Sequence, residues 1–310
     1  MSFELIILGS SSALPTSKRS TAAHLLTMNE RFFLIDCGEG TQIQLRKNKL
    51  SPARINHIFI SHLHGDHVFG LFGLISSMGL MGRLADLHLY GPSGLEDLLQ
   101  THLAFFGMPP FQLVFHIAAD QEFVYEDSKV CVRALKLKHR KETFGYLFKE
   151  KEKPLNIDKA TIDKYNLGVE DIRKIKQGND HQTVDGQIIP NTQLTLPPLV
   201  PRSYAYISDT AFLPQIAEKL KGTTLLFHES TFLEKDMELA KDTFHSTAGQ
   251  AAEIARLAEA ETLLIGHFST RYKEEESFLE EAKKIFPNTI AVNDGDRFSL
   301  EPYRQLPTGN

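Results

Sequence analysis

A chain of 310 residues with 42% hydrophobic side chains and a net charge of −5 can bury a large core and lacks the overall basicity of a protein that coats nucleic acid. Two cysteines, Cys37 and Cys131, are too few for a disulfide framework; both fall in strand-like apolar runs and read as buried free thiols. No stretch reaches the apolar length of a membrane span, and the N-terminus enters a strand with no basic or cleavable leader, which points to a soluble cytoplasmic protein.

In chain order, Phe3–Gly9 is an apolar strand, and Gly9 to Thr21 is a Ser-rich loop holding Pro15, Lys18 and Arg19. Ala22–Thr27 and Arg31–Asp36 are two strands joined by Met28-Asn29-Glu30, a hairpin pattern. In Asp36-Cys-Gly-Glu-Gly-Thr-Gln two glycines give a sharp turn into a helix over Thr41–Lys47. The β-branched run Ile55–Ile60 predicts a strand ending at Ser61, and Val68–Leu80, apolar and free of Pro, predicts a buried helix. A strand over Leu87–Tyr90 closes on Gly91-Pro-Ser-Gly, where Ser93 is placed to cap a helix running to about Phe106. Phe111–Ile117, Glu122–Tyr125, Val130–Lys138 and Phe144–Phe148 read as strands.

At Lys149–Pro201 the composition changes. The stretch is charged and poor in core residues, with helical pieces at Ile157–Tyr165 and Val169–Ile175, and reads as an insertion or arm that leaves the globule. From Arg133 to Lys176 thirteen Lys and Arg stand against seven Asp and Glu, a basic asymmetry that the total charge conceals. Tyr204–Ser208 is then a strand, Ala211–Leu220 a helix, Thr223–Phe227 a strand, Thr247–Ala260 a helix, Thr262–Gly266 a strand and Glu274–Ile285 a helix. Thr289–Val292 and Phe298–Leu300 are the last strands. This order fits an α+β fold with two β-sheets face to face and helices outside, a single domain over 1–310 with 149–201 inserted.

The chemistry concentrates in Ser61–His67, which reads Ser-His-Leu-His-Gly-Asp-His. His62, His64, Asp66 and His67 are four potential metal ligands on a strand-to-helix loop. In extended chain, residues two apart point the same way, so His62 and His64 can grip one ion. Gly65 permits a turn, and Asp66 and His67 then face a second ion at the helix start. Imidazole and carboxylate donors without thiolate are the ligand set of an open, catalytic zinc site.

His-x-His-x-Asp-His after a strand resembles the signature of the metallo-β-lactamase superfamily, whose further ligands lie downstream at strand ends. Taken alone, His139 reads as a surface His in a basic run, Asp209 as a helix N-cap and His267 as a core His. The resemblance implies instead that His62, His64 and His139 hold one Zn²⁺, Asp66, His67 and His267 a second, with Asp209 bridging, in a four-layer αββα sandwich. Phe32-Phe-Leu-Ile-Asp-Cys-Gly-Glu-Gly-Thr-Gln, Phe244-His-Ser-Thr and Leu264-Ile-Gly-His-Phe-Ser-Thr-Arg-Tyr narrow the likeness. With the metal loop, they resemble the ribonuclease Z family, endonucleases that process tRNA 3′ ends, over nearly the whole chain. In that family an arm between the third and the bridging ligand grips the tRNA elbow. Lys149–Pro201 occupies that interval, and Asp171–Gly178 and Val184–Ile189 look similar to the arm and its return. Two departures stand out. The family loop Pro-x-Lys-x-Arg-Asn, which bears on handling of the CCA end, appears as Pro15-Thr-Ser-Lys-Arg-Ser. The arm's Gly-Pro element has no clear match, and Gly168-Val169 stands near its place.

The resemblance implies a zinc-activated water attacking the phosphorus after the discriminator nucleotide, leaving a tRNA 3′-hydroxyl and a trailer 5′-phosphate. Asp66 would orient that water or take its proton. His245 would protonate the leaving 3′-oxygen, since neutral-pH chemistry needs a group titrating near 7, with Glu229 orienting it; alone, His245 reads as a helix-start His capped by Ser246. The family also suggests a homodimer acting on precursor tRNA. Two other functions fit the ligands less well: a sibling zinc phosphodiesterase or sulfatase on small esters, and a non-catalytic zinc-dependent RNA-binding module.

Overall fold

A computed structural model describes residues 2–120 and 122–302. The chain runs β1 (Phe3–Gly9), β2 (Ala23–Met28), β3 (Arg31–Ile35), α1 (Thr41–Lys47), β4 (His57–Phe59), α2 (Gly65–Leu80), β5 (Leu87–Gly91), α3 (Leu95–Phe106) and β6 (Leu113–Ile117). Then come β7 (Phe123–Glu126), β8 (Val130–Lys136) and β9 (Phe144–Glu150), followed by α4 (Lys159–Lys164), α5 (Val169–Lys176), β10 (His181–Gln182), β11 (Ile188–Ile189) and α6 (Asn191–Leu194). The remainder is β12 (Ser203–Ile207), α7 (Ile216–Lys219), β13 (Leu225–Glu229), α8 (Met237–Thr243), α9 (Ala248–Leu257), β14 (Thr262–Gly266), α10 (Glu276–Lys283), β15 (Thr289–Ala291) and β16 (Arg297–Ser299).

Two seven-stranded sheets result, ordered β16-β1-β2-β3-β4-β5-β6 and β15-β14-β13-β12-β9-β8-β7. Each is antiparallel in one half and parallel in the other, along β3–β6 and β12–β15. Between the sheets Leu5, Phe33 and Phe59 meet Val132, Tyr146, Phe148 and Phe227. On the outer face of the first sheet Ile58 and Leu89 pack on Leu71, Ile75 and Leu99 of α2 and α3. On the second, Leu226 and Leu263 pack on the Ala251, Ala252 and Ala255 stripe of α9, whose small side chains bring the helix close. These are the four αββα layers of the metallo-β-lactamase fold. The β2–β3 hairpin turns on Asn29 and Glu30, both left-handed with φ 48° and 68°, as a two-residue turn with two positive φ values requires.

Several local expectations are corrected. Helix α2 begins at Gly65 rather than Val68, so Asp66 and His67 sit in its first turn. Gly65 does not have a positive φ, so no left-handed turn calls for glycine there; the exposed Phe69 ring lies over the place of an added Cβ, at 2.2 Å. The helix over Ala211–Leu220 shrinks to Ile216–Lys219, since Pro214 has no N–H to give a helix; Asp209 therefore caps no helix. Gly94, not Ser93, occupies the N-cap of α3, and the Ser93 hydroxyl donates to Glu142 instead at 3.0 Å. Thr247, not Ser246, caps α9, in a box with Gln250. Helix α8 was not expected. Cys37 is buried but Cys131 is partly exposed, because it faces outward from a strand near the sheet edge.

Glu150–Arg202 forms a compact unit distinct from Met1–Lys149 with Ser203–Leu300. It has a small core of Leu167, Ile175, Ile189 and Leu194. Asp158 caps α4 through Thr161 N at 2.7 Å, and Asn191 Nδ2 donates to the Ile175 and Asn179 carbonyls. Its two ends are joined by a buried bidentate pair: Arg202 Nε and Nη2 donate to Glu150 Oε2 and Oε1 at 2.9 and 2.7 Å. The insert is not basic as a whole, since eight Lys and Arg face eight Asp and Glu over 149–201. Most of the basic excess lies upstream, at Arg133, Lys136, Lys138, Arg140 and Lys141. Within the insert charge is sorted along α5, with Glu170 and Asp171 in its first turn and Arg173, Lys174 and Lys176 in its last, the polarity a helix dipole favours.

Candidate metal centre

The ligand loops lie at the carboxyl ends of parallel strands, where open α/β sheets place their sites. Asp36 follows β3, Ser61–His67 follows β4, Asp209 follows β12, Glu229 ends β13 and His267 follows β14. His139 lies beyond β8, and His245 follows α8. The structure brings every one of the expected site residues to one place. Donor atoms of His62, His64, His139 and Asp209 lie within 4.8 Å of one another, as do those of Asp66, His67 and His267.

His62 Nε2 and His139 Nε2 stand 2.9 and 3.3 Å from His64 Nδ1, and 3.5 and 3.8 Å from Asp209 Oδ2. On the other side His67 Nε2 and His267 Nε2 stand 3.5 and 3.3 Å from Asp209 Oδ1, and each is 3.5 Å from Asp66 Oδ2. The two oxygens of Asp209 thus face two separate groups of imidazoles. Ligands about 2.0–2.1 Å from a tetrahedral ion stand roughly 3.3 Å apart, which is the spacing found here. His67 Nε2 and His267 Nε2 are buried with no hydrogen-bond partner, a costly state that a cation relieves. The residues therefore fit a pair of divalent cations.

The opposite ring nitrogens are held by the protein. His139 Nδ1 donates to the Phe244 carbonyl at 2.9 Å, His67 Nδ1 to Asp36 Oδ2 at 2.7 Å, and His62 Nδ1 to Ser61 Oγ at 3.0 Å. Such outer partners fix the tautomer and aim the other nitrogen at a metal. Asp36, Phe244 and His267 adopt left-handed φ of 55°, 59° and 62°, non-glycine strain of the kind that gathers at functional sites.

Asp36 is the residue that sequence reasoning passed over. It is fully buried and accepts from Ser61 N, Ser61 Oγ and Tyr206 Oη as well as from His67. Its signal was present: an acidic residue directly after the apolar run Phe32–Ile35 and next to a glycine turn. A second contact, Ala13 N to Asp66 Oδ2 at 2.8 Å, ties the Ser-rich loop to the centre.

Electrostatics agree with a cation site. Burial holds the pKa of His62, His64 and His139 below the usual imidazole value, so all three are neutral donors. Burial also opposes charge on His67, but Asp66, Asp209 and Asp36 outweigh it and raise its pKa. Against burial, neighbouring imidazoles hold Asp66 and Asp209 below the usual carboxylate range. Burial likewise opposes the charged form of His245, yet Glu229 Oε1, 3.0 Å from its Nδ1, and Asp209 lift its pKa to about 9. Glu229 itself is fully buried and also accepts from Thr210 N and Ser246 N. The carboxylates of the pocket demand positive charge, which protons supply where cations do not.

Fold and site together define a metallo-β-lactamase-fold enzyme. Residues 168–268 match the beta-lactamase superfamily domain, and residues 3–112 match the family described as Anti-Pycsar protein Apyc1. The chain is 48% identical over 303 residues to ribonuclease Z of Phocaeicola vulgatus, covering 96% of this chain and 98% of that one. It is 47% identical over 301 residues to ribonuclease Z of Porphyromonas gingivalis, with 96% and 99% covered. Among solved structures it is similar to human tRNase Z, short form, at TM-score 0.69 and 25% identity over 96% of this chain and 99% of that one. A diphosphatase of the PhnP family shares the fold at TM-score 0.63 and 18% identity, with 97% and 98% covered. The chain belongs to the ribonuclease Z family.

Proposed function

We propose that this chain is a zinc-dependent endoribonuclease that removes the 3′ trailer from precursor tRNA, leaving a tRNA 3′-hydroxyl and a trailer 5′-phosphate. The observation that carries it is the convergence of seven His and Asp side chains into two adjoining groups that could each hold a metal ion, in a chain of this family. His62, His64 and His139 would hold one Zn²⁺, Asp66, His67 and His267 the other, with Asp209 shared. Two such ions supply Lewis-acid chemistry: they acidify water and offset charge on phosphoryl oxygens. Asp66, anchored by Ala13 N, orients the attacking water and accepts its proton. His245, held through Nδ1 by Glu229, presents Nε2 to the leaving 3′-oxygen and donates a proton there.

The exposed cations Lys138, Arg140 and Lys141 flank His139 and favour a polyanionic substrate over a small ester. The insert 149–201 serves as the tRNA-binding arm, with Arg173, Lys174 and Lys176 on α5 as its basic end. Among the described residues no helix is long and apolar enough to cross a membrane. A cytoplasmic enzyme acting on tRNA is consistent with that and with a sequence that holds only two cysteines.

A homodimer is supported by an uncovered apolar face. Leu80, Met81, Leu84, Phe105, Phe106 and Met108 are all more than half exposed. Their helices adjoin, since His102 of α3 stacks on Phe72 of α2 at 4.2 Å.

Incubation with a 3′-extended precursor tRNA tests the reading. A single cut after the discriminator nucleotide is expected, abolished by chelation and restored by Zn²⁺, with two Zn²⁺ per chain in native mass spectrometry. Hydrolysis of small phosphodiesters with no cut of precursor tRNA would replace it by a small-ester enzyme. Binding of tRNA without hydrolysis of either would leave an RNA-binding module.

A further inference from the structure

Thr231 lies two residues beyond Glu229 and belongs to neither ligand group. Its side chain is buried, and its hydroxyl oxygen reaches three groups: Glu229 Oε2 at 2.8 Å, His267 Nδ1 at 3.0 Å and His245 Nδ1 at 3.2 Å. A hydroxyl has one proton and two lone pairs. Glu229 can only accept, and it already takes backbone N–H groups on both oxygens: Thr231 N on Oε2 at 3.0 Å, Thr210 N and Ser246 N on Oε1 at 3.1 and 3.0 Å. The Thr231 proton therefore goes to Glu229 Oε2. What remains toward the two rings is lone pairs, and a lone pair calls for an N–H. The partner that the structure gives His267 Nδ1 is this oxygen.

We propose that Thr231 is a positioning residue that fixes His267 as its Nδ1–H tautomer, so that the Nε2 lone pair faces the second cation, while holding the Nδ1–H of His245 from the same oxygen. The inference rests on the metal-centre reading and deepens it. His67, His139 and His62 each have a partner of their own on Nδ1, so Thr231 bears on one ligand group only. It joins that group to the proton donor through one atom, with Glu229 fixing the hydroxyl from behind.

The test uses the full chain with Zn²⁺ as the probe. Thr231→Val removes the hydroxyl and keeps the shape; Thr231→Ser keeps the hydroxyl. Chelator competition is expected to show the weaker-bound Zn²⁺ of the Val variant released about 10–100-fold more readily, the usual effect of losing an outer partner. The other ion should keep its wild-type affinity, and the Ser variant should be close to wild type at both. Long-range ¹H–¹⁵N spectra of the metal-free chain, above the titration of its imidazoles, read the tautomer directly. Free imidazole side chains favour the proton on Nε2. Wild-type His267 is expected to carry it on Nδ1, and the Val variant to revert.

Wild-type affinity for both ions in Thr231→Val, or a wild-type His267 protonated on Nε2, would overturn the proposal. The wild-type spectrum decides even if the Val variant does not fold. A wild-type chain that binds no Zn²⁺ would instead strike the metal-centre reading, while the metal-free spectrum still reports on Thr231.

Discussion

His245 sits where two demands meet. Its Nε2 is 4.0 Å from Asp209 Oδ2, near enough to feel the metal centre, yet Glu229 holds its other nitrogen away from it. A cation beside Asp209 reduces the carboxylate pull that raises the His245 pKa to about 9, moving it toward the neutral range where a proton donor works best. A ribose 3′-oxygen leaves poorly without a proton, whereas nitrophenolate needs none. His245→Ala should therefore slow precursor tRNA cleavage by about 10²–10⁴-fold and slow bis(p-nitrophenyl) phosphate hydrolysis far less, with zinc content unchanged. Single-turnover rates on both substrates, with metal measured in the same samples, decide it; equal losses on both would assign His245 a metal or packing role. What made residues legible in the sequence was spacing. His62, His64, Asp66 and His67 declare themselves within six positions because one strand-to-helix loop holds them all. His139, Asp209 and His267 looked ordinary alone, since the fold, not local spacing, brings them together; a family pattern was needed to pick them out. Thr231 stayed hidden because its part is to hold another side chain's far nitrogen, which no one-dimensional pattern marks; Asp36 showed only as an acidic residue after the apolar run Phe32–Ile35, which marks a buried carboxylate but not the imidazole it holds.

At the scale of elements, strands with unbroken apolar runs were read correctly in kind, because burial on both faces leaves little other choice. Errors came where one residue overrides a pattern: Pro214 in the 211–220 segment, and the loop geometry that recruits Ser93 away from its cap. The insert was visible as a change in composition, but its balanced charge shows that composition alone misplaces the basic surface. Strands β9 and β12 are antiparallel neighbours with Lys149 opposite Ser203, so the insert can be replaced by a short hairpin turn without breaking a sheet. The shortened chain should lose precursor tRNA affinity and keep bis(p-nitrophenyl) phosphate hydrolysis, because no expected ligand or proton donor lies in 149–201. Loss of both would mean the segment is structural. The pair that joins its ends makes a separate prediction. Burial opposes the Glu150 charge, but the Arg202 hydrogen bonds hold its pKa down to about 2 from 4.5. A folded-state pKa that is depressed gives stability that is present above pH 4.5 and lost as pH falls through 2. Glu150→Gln removes the carboxylate charge that buried Arg202 faces, which should cost the insert about 3–5 kcal/mol near neutral pH. Hydrogen exchange across 150–202 should show the loss, and thermal melts should show wild type and variant converging from pH 4.5 downward. A gap independent of pH would mean that the pair contributes through packing rather than charge.

Across the whole molecule, charge and apolar surface are sorted to different regions. The chain is acidic overall, yet the end of β8 and the loop that follows it carry Lys136, Lys138, Arg140 and Lys141, so a polyanion meets a basic approach beside His139. The apolar surface gathers instead at the ends of α2 and α3, where Leu80, Leu84, Phe105 and Phe106 are 90%, 78%, 82% and 74% exposed. Side chains of this size, adjoining and uncovered, carry a cost in water that association removes. A closed two-fold pairing buries the same patch on both copies. All of the expected ligands, with His245 and Glu229, come from one chain, so the pairing is not required to complete the centre. Leu84→Glu with Phe105→Glu should therefore convert a dimer to a monomer of 34.9 kDa by light scattering, while hydrolysis of bis(p-nitrophenyl) phosphate per chain stays near wild type. Precursor tRNA cleavage is the sensitive readout. If the arm of one copy presents tRNA to the centre of the other, cleavage falls with the dimer; if each copy works alone, it persists at high enzyme concentration. A wild-type chain that is monomeric at micromolar concentration, or a double variant that remains dimeric, would remove this face as the interface.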